Sequence, residues 1–325
     1  MKVLVTGAFG FVGTRVCTQL NAEGHTVIRV GHQGRQQVDG SLYCIDLGDT
    51  EEFAKLGDIS GIDAIVNCAG IAHRFGRVSK QLFQRVNVDG VRNLANFAAA
   101  SQVGRFVQLS SVLVYGRTRS KEPVDESHRL APHDNYAVSK LDGERAAATI
   151  CDEAGIKLTI LRPAPIIGEG SSGNVSRLIH AVDSGRFVNV GNGENERSFV
   201  YVGDVARAVS TVLESESDHE NSTFNVVGGS LPVRDLVRII AERLGTQPPS
   251  FKIPRSIAKI GLSAARPLAI VPVIDKYKRS LETWLADAVY SGEALHELGF
   301  RPMTGIEEGL NREVDHYLDH KCSLP

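Results

Sequence analysis

Tyr136 and Lys140 are the residues whose types and spacing point most directly to chemistry. They are four residues apart in a helical pattern, so their side chains share one helix face. A phenol with a pKa near 10 must lose roughly 2–3 pKa units, about 3–4 kcal/mol, to act as a base at neutral pH. One ammonium group at roughly 4–5 Å in a partly buried site supplies about that much. The pair therefore predicts a tyrosine acid/base whose pKa Lys140 lowers.

A serine precedes this pair and could hold the reacting oxygen. Ser111 lies 25 residues before Tyr136 and follows an apolar run at residues 105–109. The carboxyl end of a parallel strand opens into the crevice where such sheets bind ligands. A second Tyr-x-x-x-Lys, formed by Tyr317 and Lys321, serves as an internal control. It lies near the end of the chain, and we expect it to be a solvated helix end.

Glycines near the start of the chain predict a dinucleotide site. Gly7, Gly10 and Gly13 lie between an apolar run and a helical pattern, with the spacing G-x-x-G-x-x-G rather than G-x-G-x-x-G. Missing side chains let the backbone approach a pyrophosphate, and the helix N-terminus offers N–H groups and a positive dipole end. A tight turn with close packing is the alternative interpretation.

The end of the second predicted strand favours NADP over NAD. Gly31 occupies the position where an acidic residue would hold the ribose 2′-hydroxyl, and Arg29, His32 and Arg35 lie close by. Solvated loop charges are the alternative interpretation of these basic residues. Asp46, at the end of the third predicted strand, can reach an adenine or cap the next helix.

The elements that position these residues predict an α/β fold with a Rossmann-type, doubly wound parallel sheet. Short β-branched runs alternate with helical patterns through the first 165 residues. Leu82, Val86, Leu94 and Ala98 form a stripe expected to pack on the sheet. The predicted strands are residues 2–6, 26–30, 42–45, 64–68, 105–109 and 157–161, and the predicted helices are 11–23, 79–100 and 135–153.

The regular alternation of strand and helix patterns ends after Arg162 and Pro163, which predicts a second lobe. We expect residues 1–165 to form the nucleotide-binding domain, with part of 185–215 returning to it. Residues 166–325 would form mainly a smaller, partly interleaved substrate-binding lobe with a few strands, such as 223–227. Residues 257–274 are the most apolar stretch, but charges and prolines interrupt it, so we expect an amphipathic helix and loop.

Composition excludes several other classes of protein. The formal net charge of -2 gives no indication of a nucleic-acid partner. The five cysteines are scattered without metal-ligand spacing, so we expect no metal and a reduced, cytoplasmic protein. No stretch has the length and apolarity of a membrane span, and the first strand leaves no room for a signal peptide.

Several motifs together resemble the extended short-chain dehydrogenase/reductase family, in particular its NAD-dependent epimerase/dehydratase, or nucleotide-sugar, branch. The resemblance covers nearly the whole chain and includes the Tyr136/Lys140 pair. The other motifs are TGAFGFVG (6–13), NVDGVRNL (87–94), SSVLVYG (110–116), LRP (161–163), RSFVYVGDV (197–205), FNV (224–226) and ELGF (297–300).

The resemblance implies a role for each matching residue. Tyr136 would be the acid/base, Lys140 its partner and a ligand of the nicotinamide ribose, and Ser111 would orient the substrate oxygen. Arg197 would grip the substrate diphosphate, with Asn174 near the nucleotide. The implied cofactor-binding residues are Gly7, Phe9, Gly10, Phe11, Val12, Arg29, Arg35, Asp46, Leu47, Ala69, Gly70, Asn87, Ser110, Tyr136, Lys140 and Pro163.

The implied function is hydride transfer at C4 of a nucleotide-linked hexose, as a 4-ketoreductase or a 4-epimerase. Val112 and Leu113 stand where the family's 4,6-dehydratases carry an Asp-Glu pair, so dehydration is not expected. The stretch CAGIAHR, residues 68–74, also resembles 4-keto-6-deoxy-hexosamine nucleotide reductases.

Other interpretations stay open. The alternative functions are reduction of a steroid-like or phenylpropanoid carbonyl and a non-catalytic NAD(P)-sensing role. The resemblance also implies a homodimer that pairs through helices 79–100 and 135–153, and a place in cell-surface polysaccharide synthesis.

Overall fold

A seven-stranded parallel sheet forms the centre of the computed structural model, which describes residues 1–32, 42–57, 59–72, 78–117, 122–187, 189–215, 222–248, 252–253, 284 and 286–321. Its strands are β1 (Lys2–Thr6), β2 (Thr26–Gly31), β3 (Leu42–Cys44), β4 (Ala64–Asn67), β5 (Arg105–Leu109), β6 (Lys157–Pro163) and β10 (Ser222–Val226), in the order β10-β6-β5-β4-β1-β2-β3. The strand order reverses between β1 and β4, which is the switch point of a doubly wound sheet.

Helices cover both faces of this sheet. The helices are α1 (Phe11–Ala22), α2 (Lys80–Phe83), α3 (Gly90–Ala100), α4 (Asn135–Ala154), α5 (Asn174–Asp183), α6 (Val202–Glu214), α7 (Val233–Leu244), α8 (Glu293–Glu297) and α9 (Ile306–His320). Helices α1 and α6 share one buried apolar cluster with the sheet, and α3 and α4 share another on the opposite face. The predicted Rossmann-type fold is therefore confirmed.

The helix predicted over residues 79–100 is present, but its middle is π-helical rather than α-helical. A π-helical segment, Gln84–Asp89, separates α2 from α3. Its wider turn rotates the residues before it relative to those after it. Leu94 and Ala98 are fully buried as expected, whereas Leu82 is 41% exposed and Phe83 is buried in its place. The rotation explains why a stripe drawn with a constant helical period fails at its first position.

The second lobe has its own core. A mixed three-stranded sheet contains β7 (Ile166–Ile167), β9 (Glu196–Tyr201) and β11 (Gly229–Pro232), with β9 in the middle, parallel to β7 and antiparallel to β11. This sheet packs with α5, α7 and α9 around a third apolar cluster. A small sheet pairs β8 (Asn189–Val190) with β12 (Lys252–Ile253).

Two segments from beyond residue 165 join the nucleotide-binding part of the fold: one as a strand of the large sheet and one as a helix packed against it. The strand predicted at 223–227 for the smaller lobe is β10, which pairs with β6 in parallel at the edge of the large sheet. Helix α6 packs against that sheet beside α1. Among the described residues, no helix is long and apolar enough to cross a membrane. The predicted amphipathic segment 257–274 lies outside the described residues.

Candidate active site

The glycine-rich loop between β1 and α1 brings the backbone close to its neighbours. Gly7 has φ +62°, and a Cβ there would lie 2.7 Å from the backbone nitrogen of Ala69. A Cβ on Gly13 would overlap the carbonyl of Gly7. Gly10 caps α1 in an extended conformation and makes no side-chain cap hydrogen bond. The helix start is thus open to an anionic ligand, which fits the predicted pyrophosphate position.

Phe9 explains the missing acid at the end of β2. A Cβ on Gly31 would lie 2.6 Å from the Phe9 ring, so the ring fills the space of a side chain there. The Arg29 guanidinium lies close enough to the Cys17 thiol of α1 to lower its pKa, although burial raises that pKa overall to about 11. Arg29 therefore points under α1. Arg35 lies outside the described residues.

Asp46 and Leu47 follow β3 in a tight turn. One Asp46 oxygen accepts a hydrogen bond from the Gly48 backbone at 2.9 Å, and the other accepts one from Arg85 at 2.7 Å. Leu47 is buried, and its carbonyl accepts a hydrogen bond from Asn93 at 2.9 Å. Neither proposed partner of Asp46, an adenine or a helix terminus, is needed to explain this geometry.

Asn87 ties α4 to the end of β4. Its amide donates to Ser139 at 2.9 Å and to the carbonyl of Ile71 at 3.1 Å, and its oxygen accepts from the backbone nitrogen of Ile71 at 2.8 Å. These bonds satisfy a side chain that is 2% exposed, as the sequence predicts for a buried amide. They fix the segment that contains Ala69 and Gly70 against the start of α4.

Ser110 and Ser111 follow β5 and have different surroundings. The Ser111 hydroxyl accepts a hydrogen bond from the Leu113 backbone at 3.2 Å, and it lies close enough to the Tyr136 phenol to lower its pKa. The Ser110 hydroxyl is buried and has no hydrogen-bond partner in the described part of the chain. A buried hydroxyl of this kind is uncommon in a folded interior, and it fits the predicted contact with a dinucleotide.

Tyr136 is held at the first turn of α4. Asp134 caps the helix by accepting a hydrogen bond from the Ala137 backbone at 2.8 Å, and the Phe83 ring lies 6.2 Å from the phenol ring. Burial raises the pKa of Tyr136 to about 12, while the Ser111 hydroxyl opposes the rise and the Asp134 charge adds to it. The predicted lowering of this pKa by Lys140 is absent from the described structure.

Lys140 is directed toward the ends of β4 and β5, which explains that difference. Its ammonium group donates to the Leu109 carbonyl at 2.5 Å, and a Cβ on Gly70 would lie 3.6 Å from its Nζ. Burial lowers the pKa of Lys140 to about 8, whereas the Glu144 charge and the Cys68 thiol raise it. Lys140, Ser111 and Tyr136 therefore meet at one edge of the sheet.

Arg197 and Asn174 belong to the second lobe. Arg197 on β9 is 8% exposed, and its guanidinium lies 5.3 Å from the centre of the Trp284 ring. Burial lowers the pKa of Arg197, and the Tyr290 and Asp287 side chains oppose this effect. Asn174 begins α5 and is exposed. Pro163 is buried at the end of β6.

The second Tyr-x-x-x-Lys pair lies at the end of α9 with Lys321 exposed, as expected, but both side chains also contact a neighbouring helix. Tyr317 donates to Asp183 at 2.8 Å, and the Lys321 ammonium lies 2.8 Å from the same carboxylate. Both residues attach α9 to the last residue of α5. The pair is therefore a helix-to-helix contact of the second lobe, which the local sequence did not indicate.

Sequence reasoning missed Glu144 and Arg162. Arg162 donates to both oxygens of Glu144, at 3.0 and 2.6 Å, in a buried ion pair directly before Pro163. A usable signal was present, because Glu144 follows Lys140 by one more helical turn on the same face. The sequence could not show that its partner would come from β6.

Comparison with known proteins identifies the class of protein. The model of the NAD dependent epimerase/dehydratase family matches residues 3–227, and the chain belongs to that family. It is 28% identical to N-acetyl-alpha-D-glucosaminyl-diphospho-ditrans,octacis-undecaprenol 4-epimerase of Escherichia coli O157:H7, over 98% of this chain and 96% of the relative. It is 29% identical to 2-alkyl-3-oxoalkanoate reductase of Stenotrophomonas maltophilia strain K279a, over 96% and 98%.

A solved structure agrees with this assignment. UDP-glucose 4-epimerase of Thermus thermophilus, in complex with NAD, is 25% identical and aligns over 98% of this chain and 99% of that chain, with a TM-score of 0.74. The match covers both lobes. The fold, the glycine loop and the Tyr136/Lys140 pair thus belong to an extended short-chain dehydrogenase/reductase enzyme.

Proposed function

We propose that this protein is an NAD(P)-dependent enzyme that acts at C4 of a nucleotide-linked hexose, in which the sugar is attached to a nucleoside diphosphate. Its net reaction is 4-epimerisation or reduction of a 4-keto sugar. The observation that carries this proposal is the meeting of Ser111, Tyr136 and Lys140 at the carboxyl ends of the central strands, with the Ser111 hydroxyl near the Tyr136 phenol and the Lys140 ammonium group on the Leu109 carbonyl. The named activities of the Escherichia coli and Thermus relatives, both 4-epimerases, support the choice of a sugar C4.

The three residues divide the proton chemistry among them. In the oxidative direction Tyr136 takes the proton from the C4 hydroxyl; in the reductive direction it returns a proton to the C4 oxygen. Ser111 holds that oxygen, and Lys140 would bind the nicotinamide ribose. The dinucleotide, when bound, exchanges a hydride with C4. Since the pKa of Tyr136 is raised to about 12, mainly by burial, positive charge near the phenol is required for rapid proton transfer at neutral pH.

Two neighbouring positions argue against loss of water. Val112 and Leu113 follow Ser111 in a short 3₁₀ turn, and Val112 is buried. Neither side chain can take up or release a proton. The protein therefore has no titrating group at the positions where a dehydratase of this family carries its acid pair, and oxidation or reduction at C4 remains the chemistry that the site supports.

Arg197 favours a diphosphate-linked substrate. A buried arginine keeps its charge and requires a negative partner or a strongly polar environment. The Trp284 ring contributes a cation–π contact, and the Ala286 carbonyl accepts one hydrogen bond at 3.4 Å. The Asp287 charge also acts on the guanidinium, and a substrate diphosphate would be a further anionic partner. A second candidate, reduction of a non-sugar carbonyl, is favoured by the oxoalkanoate reductase from Stenotrophomonas.

NADP preference is the finer part of the cofactor proposal. Its support is Gly31, which cannot bind a ribose 2′-hydroxyl through a side chain, and the Phe9 ring that fills the adjacent space. Arg29 does not add to this support, because its guanidinium lies beside the Cys17 thiol of α1. Titration of the purified protein with NADPH and NADH tests the preference, and tighter NADH binding would overturn it.

The test of function combines a spectrum with a variant. NAD released from the denatured protein would indicate an epimerase; a cofactor-free protein that consumes NADPH with a 4-keto sugar nucleotide would indicate a reductase. Tyr136→Phe should reduce turnover about 10²–10⁴-fold while cofactor binding is retained. If UDP-glucose and UDP-N-acetylglucosamine neither react nor raise the melting temperature, the non-sugar carbonyl becomes the better proposal.

Three further expectations stay proposals. We propose that residues 1–165, with part of 185–215, bind the cofactor, and that 166–325 mainly bind the substrate. The homodimer would pair the α2–α3 region with α4, and Leu82, which is 41% exposed, would lie in that contact. Participation in cell-surface polysaccharide synthesis follows only if the substrate is a sugar nucleotide.

A further inference from the structure

Three buried charged side chains lie on or behind the face of α4 that carries Tyr136. Lys140 is 7% exposed, Glu144 is 3% exposed, and Arg162 of β6 is 5% exposed. Lys140 and Glu144 are one helical turn apart, a spacing at which a lysine and a glutamate commonly form an ion pair. In this structure they do not: Lys140 donates to the Leu109 carbonyl instead.

Arg162 accounts for this arrangement. Its Nε and Nη2 donate to the two oxygens of Glu144 at 3.0 and 2.6 Å, so both oxygens face the guanidinium. A bidentate pair of this kind fixes the direction of the carboxylate as well as its position. Glu144 remains close enough to Lys140 for its charge to act on the ammonium group.

Arg162 is itself held from the opposite side. Its Nη1 donates to the Tyr115 hydroxyl at 3.0 Å, and its guanidinium carbon lies 5.0 Å from the centre of the Tyr115 ring. Tyr115 in turn donates to Asn225 of β10 at 2.9 Å. Asn225 is fixed by the carbonyls of Val124 and Ser291, at 3.3 and 3.1 Å. The guanidinium is therefore held directly by Glu144 and Tyr115, and Tyr115 is held in turn by Asn225.

We propose that Glu144 and Arg162 are positioning residues for Lys140. Arg162 occupies both oxygens of Glu144, so that the carboxylate stabilises the charge on Lys140 without drawing the ammonium group away from the ends of β4 and β5. The proposal rests on the proposed function only in assigning Lys140 to the cofactor and the phenol. Glu144 acts through its charge, and Arg162 acts by preventing a direct Lys140–Glu144 pair.

The remaining groups that face Lys140 do not supply this charge. The Cys68 thiol after β4 is neutral, because burial raises its pKa far above the ordinary value. Tyr136 is also neutral in this structure, for the same reason. Asp134 acts on Tyr136 from the cap of α4. Glu144 is thus the carboxylate that opposes the effect of burial on Lys140.

The test is the pH dependence of NADPH binding, followed by fluorescence between pH 6 and pH 10. The loss of NADPH affinity at alkaline pH, called the alkaline limb, should be absent from Lys140→Met if it reports deprotonation of Lys140. Glu144→Gln should move that limb to lower pH by about one unit, because an opposite charge that favoured the ammonium form is removed. Glu153→Gln makes the same chemical change at an exposed position of α4 and should leave the limb in place.

Arg162 gives an independent arm with the opposite sign. Arg162→Met leaves Glu144 free to pair with Lys140, so the limb should move to higher pH and NADPH affinity should fall at least about tenfold. The double variant Glu144→Gln/Arg162→Met removes both buried charges, and it should fold and show the low-pH limb of Glu144→Gln. This variant keeps the test valid if Glu144→Gln alone leaves Arg162 unpaired and unfolds.

Several results would overturn the proposal. Glu144→Gln could weaken binding equally at every pH, which would mean a purely structural role. Lys140→Met could leave the alkaline limb unchanged, or neither the single nor the double variant could fold. The binding assay contains NADPH and no sugar, so its result is independent of the turnover assay. If the limb shifts as expected but the enzyme turns over no sugar nucleotide, the proposed function is rejected and the positioning role is kept. Turnover with an unshifted limb would do the reverse.

Discussion

Replacing Glu313 with glutamine should stabilise the protein at alkaline pH and have little effect at acidic pH. Glu313 lies on α9, is 3% exposed, and accepts a hydrogen bond from the Gly168 backbone at 2.9 Å. Its second oxygen is buried without a hydrogen-bond partner among the described residues. Burial raises the pKa of Glu313 from 4.5 to about 7, and Glu169 adds to the rise. The Gly168 hydrogen bond and the nearby Ser171 hydroxyl oppose the rise but do not cancel it.

The sign and size of the effect follow from this difference in pKa. Below pH 4.5 the side chain is protonated in both the folded and the unfolded chain, so it costs nothing. Between pH 4.5 and about 7 only the unfolded chain ionises, and the folded state loses stability as the pH rises. Above that window the loss is complete and amounts to about 3 kcal/mol, from a difference of about 2.5 pKa units.

Urea denaturation at pH 5 and pH 8 measures this effect. Glutamine cannot ionise, and its amide oxygen can still accept the Gly168 hydrogen bond. Glu313→Gln should therefore match the wild type within about 1 kcal/mol at pH 5 and exceed its free energy of unfolding by about 2–3 kcal/mol at pH 8. Glu307→Gln, an exposed change on the same helix, is the control. A Glu313→Gln variant less stable than the wild type at pH 8 would refute the reasoning.

Three further predictions concern the site and its control. Gly31→Asp should lower the affinity for both NADH and NADPH at least about tenfold, because the new side chain would meet the Phe9 ring. The double variant Gly31→Asp/Phe9→Ala should bind again and prefer NADH, as measured by fluorescence titration. Arg197→Met should raise the KM for a UDP-sugar at least about tenfold, with unchanged NADPH affinity. Tyr317→Phe should leave turnover unchanged and lower the free energy of unfolding by about 1 kcal/mol in urea denaturation.

Features that depend on short stretches of sequence could be predicted. The strands that lead to the glycine loop and to Ser110 and Ser111 are β1 and β5, and both have the predicted bounds. Helix α4 ends one residue from the predicted position, because Gly155 adopts a left-handed conformation directly after it. Periodicity and turn residues are local signals, and they suffice where one element alone decides the outcome.

Features that depend on partners far away in the sequence could not be predicted from the sequence. β10 was expected in the smaller lobe, and nothing in its own residues indicates that its partner is β6. Arg29 was expected at the cofactor, but the residue beside its guanidinium, Cys17, lies in the middle of α1. The π-helical segment has the same origin, because the Asn87 bonds to Ile71 and Ser139 fix its position from outside the helix. In each case a contact between elements overrides a local pattern.

Helix α4 combines both kinds of information. Its sequence alone aligns Tyr136, Lys140 and Glu144 on one face, which suggests an acid/base, a cation and an anion on successive turns. The spacing by itself would predict a Lys140–Glu144 ion pair, and such a pair would hold the ammonium group away from the strand ends. Arg162 changes the result by binding Glu144 first. The direction of Lys140 is therefore decided by a residue on another strand, and the motif works only within the folded sheet.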